Sequence, residues 1–481
     1  MPATAARRIA FDVLLRVESA SAYASELLHA ALAPSVKPAD AALATEIALG
    51  VLRWRRLLDF FLDRQLKKPV ERLDLPVAIA LRMGLYQLRF LEKIPARAAV
   101  NESVELVKHA RKSSAAALVN AVLRRAAADA KEPAERLLPP ELPSADRLAV
   151  VHSHPTWMVE RWLARFGESA TAALLAANNR APRLALALRD PSHREEISRE
   201  LESSGLRVEP GRLLNSTLIA SGGSVTQTEA FRAGRISIQD EGSQAIPLLL
   251  GVRPGDRVLD LCAAPGGKTL ALARAAGPNG AVFAAELHEH RLRSMREQLA
   301  RLRVAISDCV QDRRAPSGAS AAAKDGGTAP VHLIALDATQ PLPFSAPFDR
   351  ILVDAPCSGT GTLARHPEIR WRLRPEQLSE FHALQAKLLR NALAHLAPGK
   401  CMVYSTCSLE PEENELVVAE ILNSTASIQF APADTTANLL APHLAPGVAA
   451  GSLFDSRGFF STSAAAHGTD GFFAAALEKL Q

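Results

Sequence analysis

From about residue 236 onward, short apolar runs alternate with helical or loop segments, and this rhythm constrains the fold more than any other feature. The runs are DRVLDLCA, AVFAAE, VHLIALDA, DRILVDAP and KCMVYSTC. Such alternation implies a parallel, doubly wound α/β sheet covered by helices. In these sheets chemistry gathers in the crevice at the carboxyl ends of the strands. Two cysteines fall at such ends, Cys357 in DAPCSGTG and Cys407 in YSTCSLEPEEN, and each is followed by a serine.

The chain before this point reads differently. With 481 residues, two to four domains are expected. Residues 1–130 read as an all-α bundle: ARRIAFDVLLRV places Ile9, Val13 and Val17 at helical spacing, with charges between them. KEPAERLLPPELPSAD is rich in proline, and residues 131–150 are expected to form a linker. Residues 151–235 mix the strand-like RLALALRD, LRVEPG and STLIAS with a helix ending at Gly205, which predicts a small α/β part. Residues 236–481 carry the doubly wound sheet, interrupted at 313–330 by a low-complexity insertion.

Charge is distributed unevenly. Residues 1–125 hold 20 Lys+Arg against 12 Asp+Glu, a balance of +8, and the remainder holds 36 against 39, a balance of −3. A basic module beside a near-neutral one suggests a polyanion partner, although a solvated helical surface fits the charge equally well. The five cysteines (Cys262, Cys309, Cys357, Cys401, Cys407) are odd in number and irregularly spaced, which does not suggest a disulfide framework. With no C-x-x-C, and with only the pair His152 and His154 at metal-like spacing, no metal is expected. Asp12 and Arg16 interrupt any signal-like start, and no apolar run is long enough to span a bilayer. The expectation is a cytoplasmic protein with reduced thiols and no membrane contact.

LDLCAAPGGKT follows a strand and opens a helix. A phosphate-binding P-loop needs glycine where Cys262 stands, and G-x-G-x-x-G is absent. What remains is a loop of small residues, Cys262, Ala263, Ala264, Pro265, Gly266 and Gly267, ending in Lys268, that lets a ligand approach the backbone. Asp260 ends the first strand. Glu286 ends the next, where a carboxylate commonly accepts hydrogen bonds from ribose hydroxyls. A ribose carboxylate without a phosphate cradle favours a phosphate-free nucleoside cofactor, and S-adenosylmethionine fits. A plain strand–turn–helix also accounts for the loop. Asp337 could reach the adenine or simply form a turn. Asp354 belongs to the crevice together with Cys357.

DLCAAPGGKT, DAPCSGTGTLARHPEIRW, YSTCSLEPEEN and GTDGFFAAAL together resemble the Sun (Fmu) family of RNA cytosine-5 methyltransferases. GVLRWRRLLD, LRMGLYQL and IPARAAVNESVELVK resemble the NusB-type RNA-binding bundle. The resemblance implies a Rossmann-like class I methyltransferase domain preceded by an RRM-like subdomain, with small-subunit ribosomal RNA as substrate. It implies Cys407 as the nucleophile that adds to C6 of cytosine and Cys357 as the thiol that assists product release. Asp354 and Lys268 are implied to act near the cofactor and the target base. Two positions depart from the family pattern, Glu286 where Asp is usual and Asp190 where Asn is usual. Cys309 and Cys401 are read as structural.

Candidate RNA contacts are Arg365, Arg370 and Trp371 in RHPEIRWRLR, and Arg53, Arg55 and Arg56 around Trp54. A solvated loop and helix start is the plainer reading of the first set. A monomer is expected. The competing functions are a transfer-RNA cytosine-5 methyltransferase and a non-enzymatic NusB-like RNA-binding factor. The intact Cys357, Cys407, Asp354 and Lys268 argue against the latter.

Overall fold

A computed structural model describes residues 3–20, 22–32, 36–308 and 327–481. Cys309 and most of the 313–330 insertion lie outside the described residues. The chain forms two compact units, one of residues 1–181 with 362–373, the other of residues 182–361 with 374–481.

The first unit is helical. Helices Ala5–Ala20, Pro38–Asp63, Leu75–Phe90, Ala96–His109 and Ala116–Asp129 share one hydrophobic core with Phe11, Leu58, Leu81 and Leu123 at its centre. The proline-rich stretch differs from the expected linker. Ala134 and Leu138 are buried in the same core, and Pro133, Pro143 and Pro155 each stand just before a helical turn, the one place where a missing N–H costs a helix nothing. Helix Thr156–Asn178 also packs in this unit rather than in the small α/β part.

The second unit holds two sheets. Strands β1 (Leu184–Leu188), β2 (Arg207–Pro210), β3 (Thr217–Ser221) and β4 (Ile236–Ile238) form an antiparallel sheet in the order β2-β3-β1-β4. Helix Arg194–Ser203 lies between β1 and β2 in the chain. Asp190 caps the turn after β1 by accepting from the Ser192 N–H and hydroxyl at 2.9 and 2.7 Å, which accounts for the acid there.

The large sheet runs β11-β13-β10-β9-β5-β6-β8-β7, from Ile428–Phe430, Phe473–Lys479, Leu396–Thr406, Phe348–Asp354, Arg257–Asp260, Ala281–Glu286, Val331–Ala335 and Ile306–Asp308 in that order, with β12 (Phe460–Ser461) paired to β13. Strands β5 to β10 are mutually parallel, and β13 is antiparallel to β10. Alternate residues feed opposite cores. Val258, Leu352 and Val403 point to one, and Leu259, Ile351, Tyr404 and Met402 to the other, so both faces are covered and the strands read as continuous apolar runs. The chain moves outward from β5 through β6, then returns to β9 on the other side of β5. The topological switch therefore lies between β5 and β9, and the crevice opens at their carboxyl ends.

Candidate active site

The crevice is built from the ends of β5, β6, β9 and β10. After β5 the chain turns through Cys262–Gly266 and enters helix Gly267–Ala276. Gly266 sits at φ 102°, a conformation that favours glycine, and a Cβ there would lie 3.0 Å from Met295 Cγ, so the methionine would have to give way. Asp260 is buried and accepts from the Thr269 hydroxyl at 2.6 Å, while its Oδ1 has no partner among the described residues. Burial raises its carboxyl to about 7. Cys262 is likewise pushed up by burial, so its thiol stays protonated. Glu286, nearly buried at the end of β6, accepts from the His288 N–H at 3.0 Å and pairs with Arg291 at 3.3 Å.

Asp337 takes the turn role. It accepts from the Thr339 N–H and hydroxyl at 2.9 and 2.7 Å, and these bonds hold its carboxyl below the usual range. Between β5 and β9, Lys268 Nζ lies 2.7 Å from Asp354 Oδ2, and the Ser405 hydroxyl donates to Oδ1 of the same carboxylate at 2.7 Å. Lys268 also stands over the Phe472 ring at 5.1 Å. Lys268 and Asp354, each implied by the resemblance to act near the cofactor and the target base, pair with one another, and Ser405 of YSTCSLEPEEN, whose part the motif did not show, is a third member.

Cys357 and Cys407 meet. Their sulfurs lie 3.3 Å apart, although the residues are fifty positions apart in the chain. The hydrogen bond to Cys407 and burial push the Cys357 thiol well above its usual range. The two cysteine loops are tied closely by their backbones. The Gly361 N–H donates to the Cys407 carbonyl at 2.9 Å, and the Gly471 N–H donates to the Gly361 carbonyl at 2.8 Å. A Cβ on Gly361 would lie 2.1 Å from the Gly471 oxygen, and one on Gly471 2.9 Å from Gly361 Cα, which explains Gly361 in DAPCSGTG and Gly471 in GTDGFF. Beneath both loops is the buried carboxylate of Glu413. It accepts from the Ser358 N–H at 2.7 Å, from the Ser358 and Ser408 hydroxyls, and from Gln385 Nε2 at 3.1 Å. The serine after each cysteine therefore has a single acceptor in common. Cys401, in the body of β10, has its thiol raised to about 11 by burial and packs, partly buried, against one of the cores.

The candidate RNA contacts need correction. Arg53 and Arg370 are 5% and 0% exposed and cannot face RNA. Arg370 donates to the carbonyls of Ser153 at 3.0 Å and Arg53 at 3.3 Å and to Asn179 Oδ1 at 2.9 Å, while Arg53 donates to the Ala364 carbonyl at 3.0 Å. The physical reason is that residues 362–373 fold as part of the helical unit, so a basic run that looks like a solvated loop supplies buried donors. Trp371 donates its indole N–H to the Leu52 carbonyl at 2.6 Å and carries Arg55 over its ring at 5.5 Å. Arg55 pairs with Glu18 at 3.0 Å, and Arg56 donates to the His154 carbonyl and Thr156 hydroxyl at 2.8 Å. Arg55, Arg56 and Trp371, with Phe60 and Trp157, line an open cleft of about 590 Å³. Arg365 is half-buried.

The HSHP motif is a turn. Ser153 is buried at φ 56°, and its hydroxyl accepts from the Arg56 N–H at 3.0 Å, next to the non-helical Trp54 where helix Pro38–Asp63 kinks. His154 is buried with its ring against the His152 carbonyl. Among the described residues no group of three or more His, Cys, Asp or Glu side chains could hold a metal ion. No helix among them is long and apolar enough to cross a membrane.

Comparison with known proteins finds the same order of parts along the chain, except that helix Thr156–Asn178, which clusters with the helical unit, falls within the matched ferredoxin-like segment. Residues 4–128 match the NusB family, 154–225 the RsmF/B-like ferredoxin-like domain, and 247–478 the 16S rRNA methyltransferase RsmB/F model. The probable ribosomal RNA small subunit methyltransferase B of Bacillus subtilis is 30% identical over 100% of this chain and 100% of its own length. The chain belongs to the RsmB/F family. The ribosomal RNA small subunit methyltransferase B of Erwinia tasmaniensis is 34% identical over 87% of this chain and 90% of its own. A solved structure described as PH0851 shares the fold at TM-score 0.74 and 23% identity, covering 98% of each chain. The RsmB/F family is one of RNA methyltransferases, and its NusB-like bundle, ferredoxin-like subdomain and Rossmann-like domain follow here in that order.

Proposed function

We propose that this chain transfers a methyl group from S-adenosylmethionine to C5 of a cytosine in small-subunit ribosomal RNA, through a covalent bond from Cys407 to C6. The observation that carries this reading is the pair of thiols 3.3 Å apart beside the Lys268–Asp354 pair.

The residues around the switch point fit the cofactor. Asp260 offers an unpartnered buried oxygen, Glu286 closes the neighbouring strand, and Gly266 and Gly267 leave the loop without side chains. Cys262 to Lys268, with Asp260 and Glu286, would hold it, and Asp337 and Asp354 lie at the ends of the following strands. When bound, the cofactor supplies an electrophilic methyl group on a sulfonium.

C5 of cytosine is a poor nucleophile. The Cys407 thiolate adds to C6 and pushes electron density onto C5, which can then take the methyl group. Asp354, fixed by Lys268 and Ser405, is placed to hydrogen-bond the ring as its charge shifts. Solvent water takes the C5 proton, the C–H electrons form the C5=C6 double bond, and the C6–S bond breaks with its electrons returning to Cys407 as thiolate, which restores the aromatic base. Cys357 keeps its proton at neutral pH and its sulfur lies 3.3 Å from that of Cys407, so it can donate to that sulfur as it leaves. The base must be unstacked to expose C6.

The helical unit supplies an anchor for the RNA. Arg64, Lys67, Lys68 and Arg72 are exposed on one loop, and Arg125 is brought beside it by donating to the Gln65 carbonyl at 2.8 Å. Bisulfite sequencing of all RNAs from cells lacking the gene, complemented with wild type or Cys407→Ala, tests the reading. One small-subunit cytosine should be protected only with the wild type. Protection confined to transfer RNA, or restored by Cys407→Ala, would contradict it.

A further inference from the structure

The serines after the two cysteines point past the thiols themselves. Ser358 and Ser408 are both buried, their hydroxyls lie 3.1 Å apart, and both donate to the carboxylate of Glu413. The same carboxylate accepts from the Ser358 N–H at 2.7 Å and from Gln385, whose amide also donates to the Pro356 carbonyl at 2.9 Å. Pro356 and Ser358 flank Cys357, and Ser408 follows Cys407. The backbone around Glu413 is itself fixed. The Tyr404 hydroxyl donates to the Glu413 carbonyl at 2.5 Å, and Asn414 accepts from the Thr406 hydroxyl at 2.5 Å and donates to the Ser408 carbonyl at 2.9 Å. A buried carboxylate costs free energy unless its lone pairs are filled, and here the donors that fill them come from both cysteine loops and from helix Gln377–Ala394.

We propose that Glu413 is a positioning residue for the reaction, a buried clamp that fixes the Cys357 loop against the Cys407 loop and so sets the distance between the two thiols. It touches neither base nor cofactor and acts only through Ser358, Ser408 and Gln385. The inference rests on the reading of Cys407 and Cys357 as the reacting thiols. Loss of the clamp lets the loops move independently, and a displacement of about 1 Å between reacting groups is enough to slow a step roughly a hundredfold.

The test uses the full chain, small-subunit RNA and S-adenosylmethionine. Single-turnover methyl transfer, cofactor affinity and melting temperature are measured for wild type, Glu413→Gln, the Ser358→Ala/Ser408→Ala pair, and the triple variant. Glu413→Gln is expected to slow transfer by about tenfold or more while cofactor affinity stays within about twofold. The serine pair should slow transfer comparably, and adding Glu413→Gln to it should cost little more, because both changes break one clamp. Three results would overturn the proposal: a wild-type rate in Glu413→Gln, additive effects in the cycle, or a parallel fall of cofactor affinity and melting temperature with rate. If Glu413→Gln does not fold, the serine pair decides, since it keeps the carboxylate and its Gln385 donor; a wild-type rate there overturns the clamp. Cys407→Ala in the same assay separates the two ideas. Full transfer by that variant sinks the underlying reading, whereas wild-type rates confined to the Glu413 variant sink the clamp alone.

Discussion

At the scale of single residues, the site depends on groups held away from their ordinary protonation. Asp260 is the sharpest case. Its folded carboxyl titrates at about 7 because it is buried, against roughly 3.9 in an unfolded chain. The folded state therefore binds more protons than the unfolded state between those values. Stability from this group is fully present below about pH 4 and is lost as pH rises through about 7. Urea unfolding of the cofactor-free protein should show this decline, and Asp260→Asn should flatten it; an equal slope in both would show that Asp260 ionises freely when folded. The thiols, Asp354, Lys268 and the glycine loop were marked in the sequence because their motifs sit at strand ends, but the contact between Asp354 and Lys268 was not. Ser405 and Glu413 lie in YSTCSLEPEEN, yet their roles were not legible. Their importance lies in contacts across β9 and β10 that only the parallel register creates, where Ser405 stands opposite Asp354.

At the scale of elements, five runs legible as strands became strands β5, β6, β8, β9 and β10, since a strand covered on both faces needs an unbroken apolar run and little else does. Segments whose partners are distant were less legible. The basic run at 365–374 carries Arg370 into the helical unit, where carbonyl oxygens surround its guanidinium and burial lowers its pKa. No local pattern distinguishes such a run from a solvated one, because its partners, Leu52, Arg53, Ser153 and Asn179, lie about 190 or more positions away. Arg370→Met should destabilise the protein by at least about 2 kcal/mol, since buried acceptors are left unfilled at about 1–3 kcal/mol each. Chemical unfolding measures this, and a change under about 0.5 kcal/mol would mean that water replaces the guanidinium. Arg55→Ala, on a partly exposed pair, should change stability by no more than about 1 kcal/mol.

At the scale of the whole molecule, charge and chemistry are divided between segments, with +8 in residues 1–125 and −3 in the rest. Within residues 1–125, Arg64, Lys67, Lys68, Arg72 and Arg125 are among the exposed basic residues, whereas the arginines around Trp54 are buried or half-buried. Charge reversal at Lys67 and Lys68 should weaken RNA binding and lower its salt dependence, because each lost phosphate contact releases fewer counterions. An unchanged slope of affinity against salt would remove this loop from the interface, and cofactor affinity should not move. Deleting residues 1–130 is a poorer probe, because it strips partners from Trp371 and Arg372 as well as removing charge. The account as a whole turns on which thiol bonds the base. Denaturing gels of the full chain incubated with small-subunit RNA and S-adenosylmethionine decide this most directly. Cys357→Ala should accumulate a protein–RNA adduct and Cys407→Ala should form none; an adduct that persists without Cys407 and disappears without Cys357 would reverse the roles assigned to the two cysteines.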